Sequence, residues 1–372
     1  MRSIFYIVLL VLSGHFSMLS GQNMSTEKAL EDVDQFQELL EEHAAYLHMR
    51  GYDYKAALKV LRKWLKKREE VTQLRLQWKL QDILGEFGDR HARVIYKVKN
   101  KQWKRIPFRI APVGDKVIAL RKKRKRRYEP KFENYPFLAA IEGIPVDSLL
   151  PINCPQHRHA PAATLRDRQL INLGKVEKTF LRLGIVLKDS AHFTFSNGES
   201  DTTVRMQLAD RSKTWKEIGN TSERFEYELQ REKYGEFFDW MGDSIAYIAL
   251  PEMFGESSDE DFYERLPQRM FRFIDARALI IDIRGNGGGK RDLIAALLPY
   301  FMHPDSTPRV LNLGRICTKG SLEDEMRSMR KRYLFQYESE RFDDRDRAAI
   351  DRFMTTFKPV HKYDEDRFSP FF

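Results

Sequence analysis

The chain has 372 residues, of which 42% are hydrophobic, and a formal net charge of +10. That apolar share supports a sizeable core and excludes an intrinsically disordered chain, while the length leaves room for two or three domains of roughly 100–200 residues each. The charge excess makes an anionic surface or polymer a candidate neighbour and says nothing about the fold. Two cysteines, Cys154 and Cys317, are too few for a disulfide framework and lack metal-ligand spacing, so they either pair or are buried singly.

The first element has the form of an export signal. Arg2 supplies a positive start, Ile4–Leu12 is a nine-residue apolar run, and Ser20-Gly21 offers small residues for cleavage. The expected signal peptide is residues 1–21, and the expected location is the periplasm, the cell envelope or the outside of the cell. The run is about half the ~20 residues of a membrane span, so membrane attachment follows only if the segment stays uncleaved.

Residues 22–90 read as helical. Leu30, Val33, Phe36, Leu39 and Leu40 share one face, Gly51 interrupts, and Ala56, Leu58, Leu61, Leu65, Leu76, Leu80, Ile83 and Leu84 continue at helical spacing. Then Phe87-Gly88-Asp89-Arg90-His91-Ala92-Arg93-Val94 turns the chain into an expected strand, Val94–Val98. His91 is the histidine to single out, although a histidine two residues from an aspartate is most often structural.

Residues 91–210 carry strand-like runs. Phe108–Ile110 and Lys116–Leu120 lead into Arg121–Arg127, seven consecutive positive charges. The block lacks interleaved aromatic residues, so nucleic acid is not expected. A solvated hairpin tip or a patch for an anionic polymer fits better. Phe137–Val146 reads as strand, Gly turn and strand, and Arg166–Leu183 as one helix stopped by Gly184. Phe193–Phe195 and Thr202–Leu208 read as a hairpin around Asn197-Gly198. His157 and His159 lack a third ligand nearby, so no metal is expected. Residues 211–243 read as a polar linker.

From Ser244 a strand, Ile245–Pro251, is followed by a helix at Ser258–Ile274 and by the stretch Ala278–Phe301. Ala278–Arg284 reads as a buried strand, Gly287–Gly289 as a turn, and Asp292–Phe301 as a helix. Such a turn offers bare amides to negative charge. Neither a dinucleotide fingerprint nor a P-loop fits: the third glycine of G-x-G-x-x-G would fall on Lys290, and Arg284 and Arg291 occupy P-loop positions.

Asp282, Arg284, Asn286, Gly288 and Gly289 resemble the D-x-R-x-N-x-G-G turn of the C-terminal processing (tail-specific) serine peptidases. Tyr46–Tyr54, the turn at His91, the Phe137–Val146 segment and the Ile245–Pro251 strand are similar to further motifs of that group, in the same order. Ala92 departs from its usual threonine. The resemblance implies an α+β fold with a helical N-terminal region, a PDZ-like β domain at 91–210 and part of a crotonase-like ββα peptidase domain at 244–372. It also implies hydrolysis of peptide bonds in protein or peptide substrates by serine attack, with Gly287 and Gly288 lending amides to an oxyanion hole and no cofactor. In variants that use a histidine base, His91 is the candidate.

The group's nucleophile lies in a run of small residues of the T-A-S-A-S type, with a lysine base beyond it. Ser306, Ser321, Ser328, Ser339 and Ser369, within the 83 residues after Gly289, lack that setting. The chain is therefore expected to stop before its Ser/Lys segment and to cleave nothing by itself. The alternatives are a secreted, non-catalytic peptide-binding protein using the PDZ-like module, and a basic protein bound to an anionic envelope polymer or nucleic acid.

Overall fold

The computed structural model describes residues 23–95, 102–124, 127–210, 238–250, 252–258, 260–283, 286–306, 308–317, 322–360 and 368–372. The expected signal peptide, most of the expected linker, Arg284 and Ser321 lie outside these residues.

Three helices build the first region: α1 Thr26–His43, α2 Tyr54–Leu65 and α3 Gln73–Gly85. Each starts on an oxygen-bearing cap, with Ser25, Asp53 and Thr72 accepting from the amides of Lys28, Ala56 and Arg75. The periodic apolar face is what they bury: Ala29, Val33, Leu58, Leu65 and Leu76 are fully enclosed. Each such leucine contributes on the order of 1.5–3 kcal/mol relative to exposure. A short ribbon missed by periodicity ties the ends together, β1 Asn23–Ser25 antiparallel to β2 Glu70–Thr72. The expected strand at Val94 does not start there. The Val94 amide and carbonyl are instead taken by the side chains of Gln81 (2.9 Å) and Gln77 (2.7 Å), and residues 96–98 are not described.

An antiparallel sheet follows, built from β3 Arg109–Val113, β4 Lys116–Arg124, β5 Arg127–Pro130, β6 Phe137–Ile141, β7 Ile144–Pro145, β8 Ser190–Ser196 and β9 Asp201–Gln207. Its order is β3-β4-β6-β8-β9, with β5 on β4 and β7 on β6. The described part of the basic block lies where β4 and β5 pair, Arg124 facing Arg127; residues 125 and 126 lie outside the described residues. Phe108 meets Phe193 edge-on, with ring centres 5.2 Å apart, and Phe195 at a tilt, in the core of this sheet. The single helix expected at Arg166–Leu183 is two, α5 Ala162–Leu173 and α6 Val176–Arg182, after a short α4 at Val146–Leu149. The break has a reason. The Gly174 carbonyl accepts from the Ile106 amide at 3.1 Å, a bond that a continuous helix would have replaced with its own.

The third sheet has three strands in the order β10-β11-β12, namely Phe238–Met241, Ile245–Ala249 and Ala278–Asp282. Strand β10 corrects the linker reading of 211–243, at least at its end. It pairs antiparallel with β11, whereas β11 and β12 are parallel and joined through α7 Glu260–Arg272. The expectation that Ala278–Arg284 is a buried strand is also corrected. Ile280, Ile281 and Ile283 are 40%, 39% and 63% exposed, because β12 is the edge of this sheet among the described residues. The enclosed strand is β11, whose Ala246 and Ile248 have no exposure. Beyond it lie α8 Asp292–Leu297, α9 Leu322–Arg330 and α10 Asp344–Thr356. Helix and sheet occur side by side throughout, which makes this an α+β protein.

Candidate active site

The candidate site is the glycine turn at the carboxyl end of β12. Asp282 ends the strand, and its carboxylate accepts from the hydroxyl of Tyr247 on the neighbouring strand. The Leu250 amide donates to the Asp282 carbonyl at 2.8 Å, carrying the parallel ladder one step further. Asn286 then stitches the turn in two directions. Its Nδ2 donates to the Leu250 carbonyl at 2.9 Å, and its Oδ1 accepts from the Gly288 amide at 2.8 Å.

Glycine is required at 289 for two separate reasons. Its φ is +147°, and a Cβ there would stand 2.1 Å from the carbonyl oxygen of Met253. That approach lets Met253 donate to the Gly288 carbonyl (3.2 Å) and accept from the Lys290 amide (2.8 Å). At Gly287 and Gly288 the surroundings are open, since a Cβ would meet nothing within 4 Å.

The backbone at Gly287 and Gly288 is thus uncovered, but the Gly288 amide is engaged by Asn286. While that bond holds, the Gly288 N–H has no donor capacity left for a ligand. The helix that follows is shorter than expected. It spans Asp292–Leu297, and one tight turn, Leu298–Tyr300, replaces the rest at Pro299. Beside it opens a cavity of about 1050 Å³, lined by side chains such as Ile294, Leu298, Met302, Phe353 and Phe371, with Arg291 on its wall.

His91 is placed in an exposed turn. Its side chain is 92% exposed, with Nδ1 3.6 Å from Asp89, and the same carboxylate accepts from the His91 amide. The hydrogen bonds that shape the glycine turn join Tyr247, Leu250, Met253, Asp282 and Asn286; His91 is not among them. Among the described serines after Gly289, the Ser306 hydroxyl donates to the His303 carbonyl and that of Ser369 to the Pro370 carbonyl. Ser339 accepts from the Arg341 amide, and Ser328 is exposed on α9. None of these bonds is to a histidine or lysine side chain.

Cys154 and Cys317 are both buried and are not disulfide-bonded to one another, and burial pushes the Cys154 thiol up from its ordinary value. His159 pairs with Glu86. Burial and nearby arginines pull His157 down. Among the described residues no group of three His, Cys, Asp or Glu side chains is placed to hold a metal ion. Sequence reasoning missed Met253, whose part is played by its backbone and leaves no local signature. It also missed the role of Tyr247, although that residue sits in a quoted strand motif.

Residues 244–331 match the profile that describes peptidase family S41. The match covers about a quarter of the chain. It begins at Ser244, just ahead of β11, and contains the whole glycine turn. No curated protein matches the chain. Among solved structures, it is similar to a mutant of CPAF at 17% identity and a TM-score of 0.48, over 73% of this chain and 59% of that one. Mature CPAF is similar at 16% identity with a TM-score of 0.43, over 71% and 56%. Mature CPAF complexed with lactacystin gives 16% and 0.42, over 71% and 57%. The chain therefore spans under three-fifths of the length of these CPAF chains.

Proposed function

We propose that this chain is part of an exported serine-type peptidase of the tail-specific group, acting on peptide bonds in protein substrates, with its Ser/Lys segment not supplied by residues 290–372. The observation that carries the reading is the stitched turn of the S41 segment. Asp282, Asn286 and Gly289 each meet a distinct partner, Tyr247, Leu250 and Met253, and hold the backbone at Gly287 and Gly288 open to a ligand. In this reading the Gly287 amide is aimed at an acyl-transfer oxyanion, a contribution of about 2.7–4 kcal/mol per donor, and the Gly288 amide joins it only when Asn286 releases it.

In this reading residues 1–21 are a cleaved signal, 22–90 a helical region, 91–210 a PDZ-like peptide-binding module and 244–372 the peptidase part. His91 remains the candidate base only if the turn carrying it closes on the substrate. A non-catalytic secreted peptide binder is the second reading. It is favoured by the serine environments, in which no described hydroxyl after Gly289 is bonded to a basic side chain. The hairpin at Arg121–Arg127 is the candidate contact for an anionic polymer in either case.

A serine-directed phosphonate probe tests the assignment. The 372-residue chain is expected to remain unlabelled and to leave an unfolded protein such as casein intact, while retaining peptide binding. Labelling of Ser306, Ser321, Ser328, Ser339 or Ser369 would overturn the claim about the nucleophile. Export is checked by mass spectrometry of the mature protein from its host, with an N-terminus expected near Gln22; an intact Met1 in the cytoplasm refutes it.

A further inference from the structure

A second charged face lies where α3 meets α6, in a part of the molecule that the peptidase reading does not use. Helix α3 presents Trp78, Lys79 and Asp82 at helical spacing. Lys175, Lys178 and Arg182 follow the same spacing into and along α6. The strap Trp103–Ile106 closes the junction. The Lys104 amide donates to Glu177 (2.8 Å), the Ile106 amide to the Gly174 carbonyl, and Trp103 sits 6.3 Å from Trp78. Arg182 is fixed between the Asp82 carboxylate and the ring of Trp78.

What this packing leaves over is positive charge. Among the described residues the ammonium groups of Lys175 and Lys178 and the Arg105 guanidinium have no hydrogen-bond or carboxylate partner. Lys79 lies 4.7 Å over the ring of Trp64 and likewise meets no carboxylate at ion-pair distance. Lys178 is half-buried rather than extended into water. Burial, then Lys175 and Arg182, pull its ammonium down to about 8. Burial and Arg105 lower Lys175 as well.

Like charges gathered on partly desolvated ground are unfavourable unless an anion sits among them. The arrangement differs from the Arg121–Arg127 hairpin, where Arg121 and Lys123 share Glu129. The tryptophan rings already carry cations, Arg182 over Trp78 and both Arg68 and Lys79 over Trp64. They hold the charges in place and are not free platforms for a base or a sugar ring. Recognition here is by charge.

We propose that Lys175, Lys178 and Arg182, flanked by Lys79 and Arg105, bind a compact anion carrying two or more phosphate or sulfate groups. Paired oxyanions match closely spaced cations that offer several donors each.

Calorimetric titration of the full chain with inorganic tripolyphosphate and, separately, with a sulfated disaccharide tests this. At least one should bind, and which one binds identifies the class of anion. The Lys175→Gln/Lys178→Gln double variant should weaken that binding by at least about tenfold, while its melting temperature without ligand stays equal to or above that of the parent. A charge-neutralised hairpin (Arg121→Gln, Lys122→Gln, Lys123→Gln) should bind as the parent does. Absence of binding by both anions refutes the proposal. So does an equal loss in the hairpin variant, or capture of long heparin alone with no affinity for either small anion. If the double variant loses stability, Lys178→Arg replaces it, and the site is then refuted unless this variant retains binding.

Discussion

Three adjacent glycines make a graded test of the turn. Gly287 has an ordinary φ and open surroundings, so Gly287→Ala should change stability by less than about 0.5 kcal/mol, as at unencumbered surface sites. Gly288 also has open surroundings but a φ of +91°, so Gly288→Ala meets only the backbone penalty, about 1–3 kcal/mol. Gly289→Ala meets the same kind of penalty at φ +147° and drives a methyl into the Met253 carbonyl. Relief requires Met253 to retreat, which breaks its bonds to Gly288 and Lys290, each worth about 1 kcal/mol net. The total is about 3–5 kcal/mol. Because the chain contains several packed regions, a global melt would blur this local effect, and amide hydrogen exchange over peptides from residues 245–300 is the suitable assay. Exchange at Met253 and Lys290 should accelerate most in Gly289→Ala, moderately in Gly288→Ala and little in Gly287→Ala. If Gly289→Ala proves no worse than Gly288→Ala, the close approach of Met253 to the turn is wrong.

Asn286→Ala removes both stitches, to Leu250 and Gly288, and should cost about 2 kcal/mol in the same exchange assay; Asn286→Asp, which keeps only the acceptor, should cost about half, and equal costs would show that the Gly288 bond matters little. Neutralising Arg121, Lys122 and Lys123, all exposed on β4, should leave the melting temperature nearly unchanged while lowering the salt needed for elution from heparin; a large loss of stability would mean that the block is packed. The Lys178 ammonium is depressed from its ordinary 10.5 to about 8, so the folded state disfavours the charged form. That cost is fully present below pH 8 and is relieved as pH rises from about 8 to 10.5. Lys178→Gln should therefore stabilise the anion-free protein at pH 7 by at most about 3 kcal/mol, with the advantage vanishing above pH 10.5. An advantage that grows with pH would refute the desolvated-lysine account.

Much of the fold could be read from local chemistry. The leucine periodicity of the first region, the Asn197-Gly198 hairpin and the Gly143 turn all act over a few residues, and the structure forms each one where its residues stand. The glycine turn was legible for the same reason, because a backbone with positive φ at Gly288 and Gly289 needs glycine whatever surrounds it. Tertiary structure decided what local pattern cannot express. The apolar run Leu279–Ile281 has the composition of an enclosed strand, yet its exposure depends on how many strands lie beyond it, and β11 rather than β12 became the interior one. Helices α5 and α6 part at Gly174 because a strap some 70 residues earlier in sequence claims its carbonyl. The role of Met253 rests on its backbone, which has no residue-type signature. The lysines at 175 and 178 carry no distinguishing signal in the sequence, and only the packing of α3, α6 and Trp103 against one another makes them a partly desolvated group.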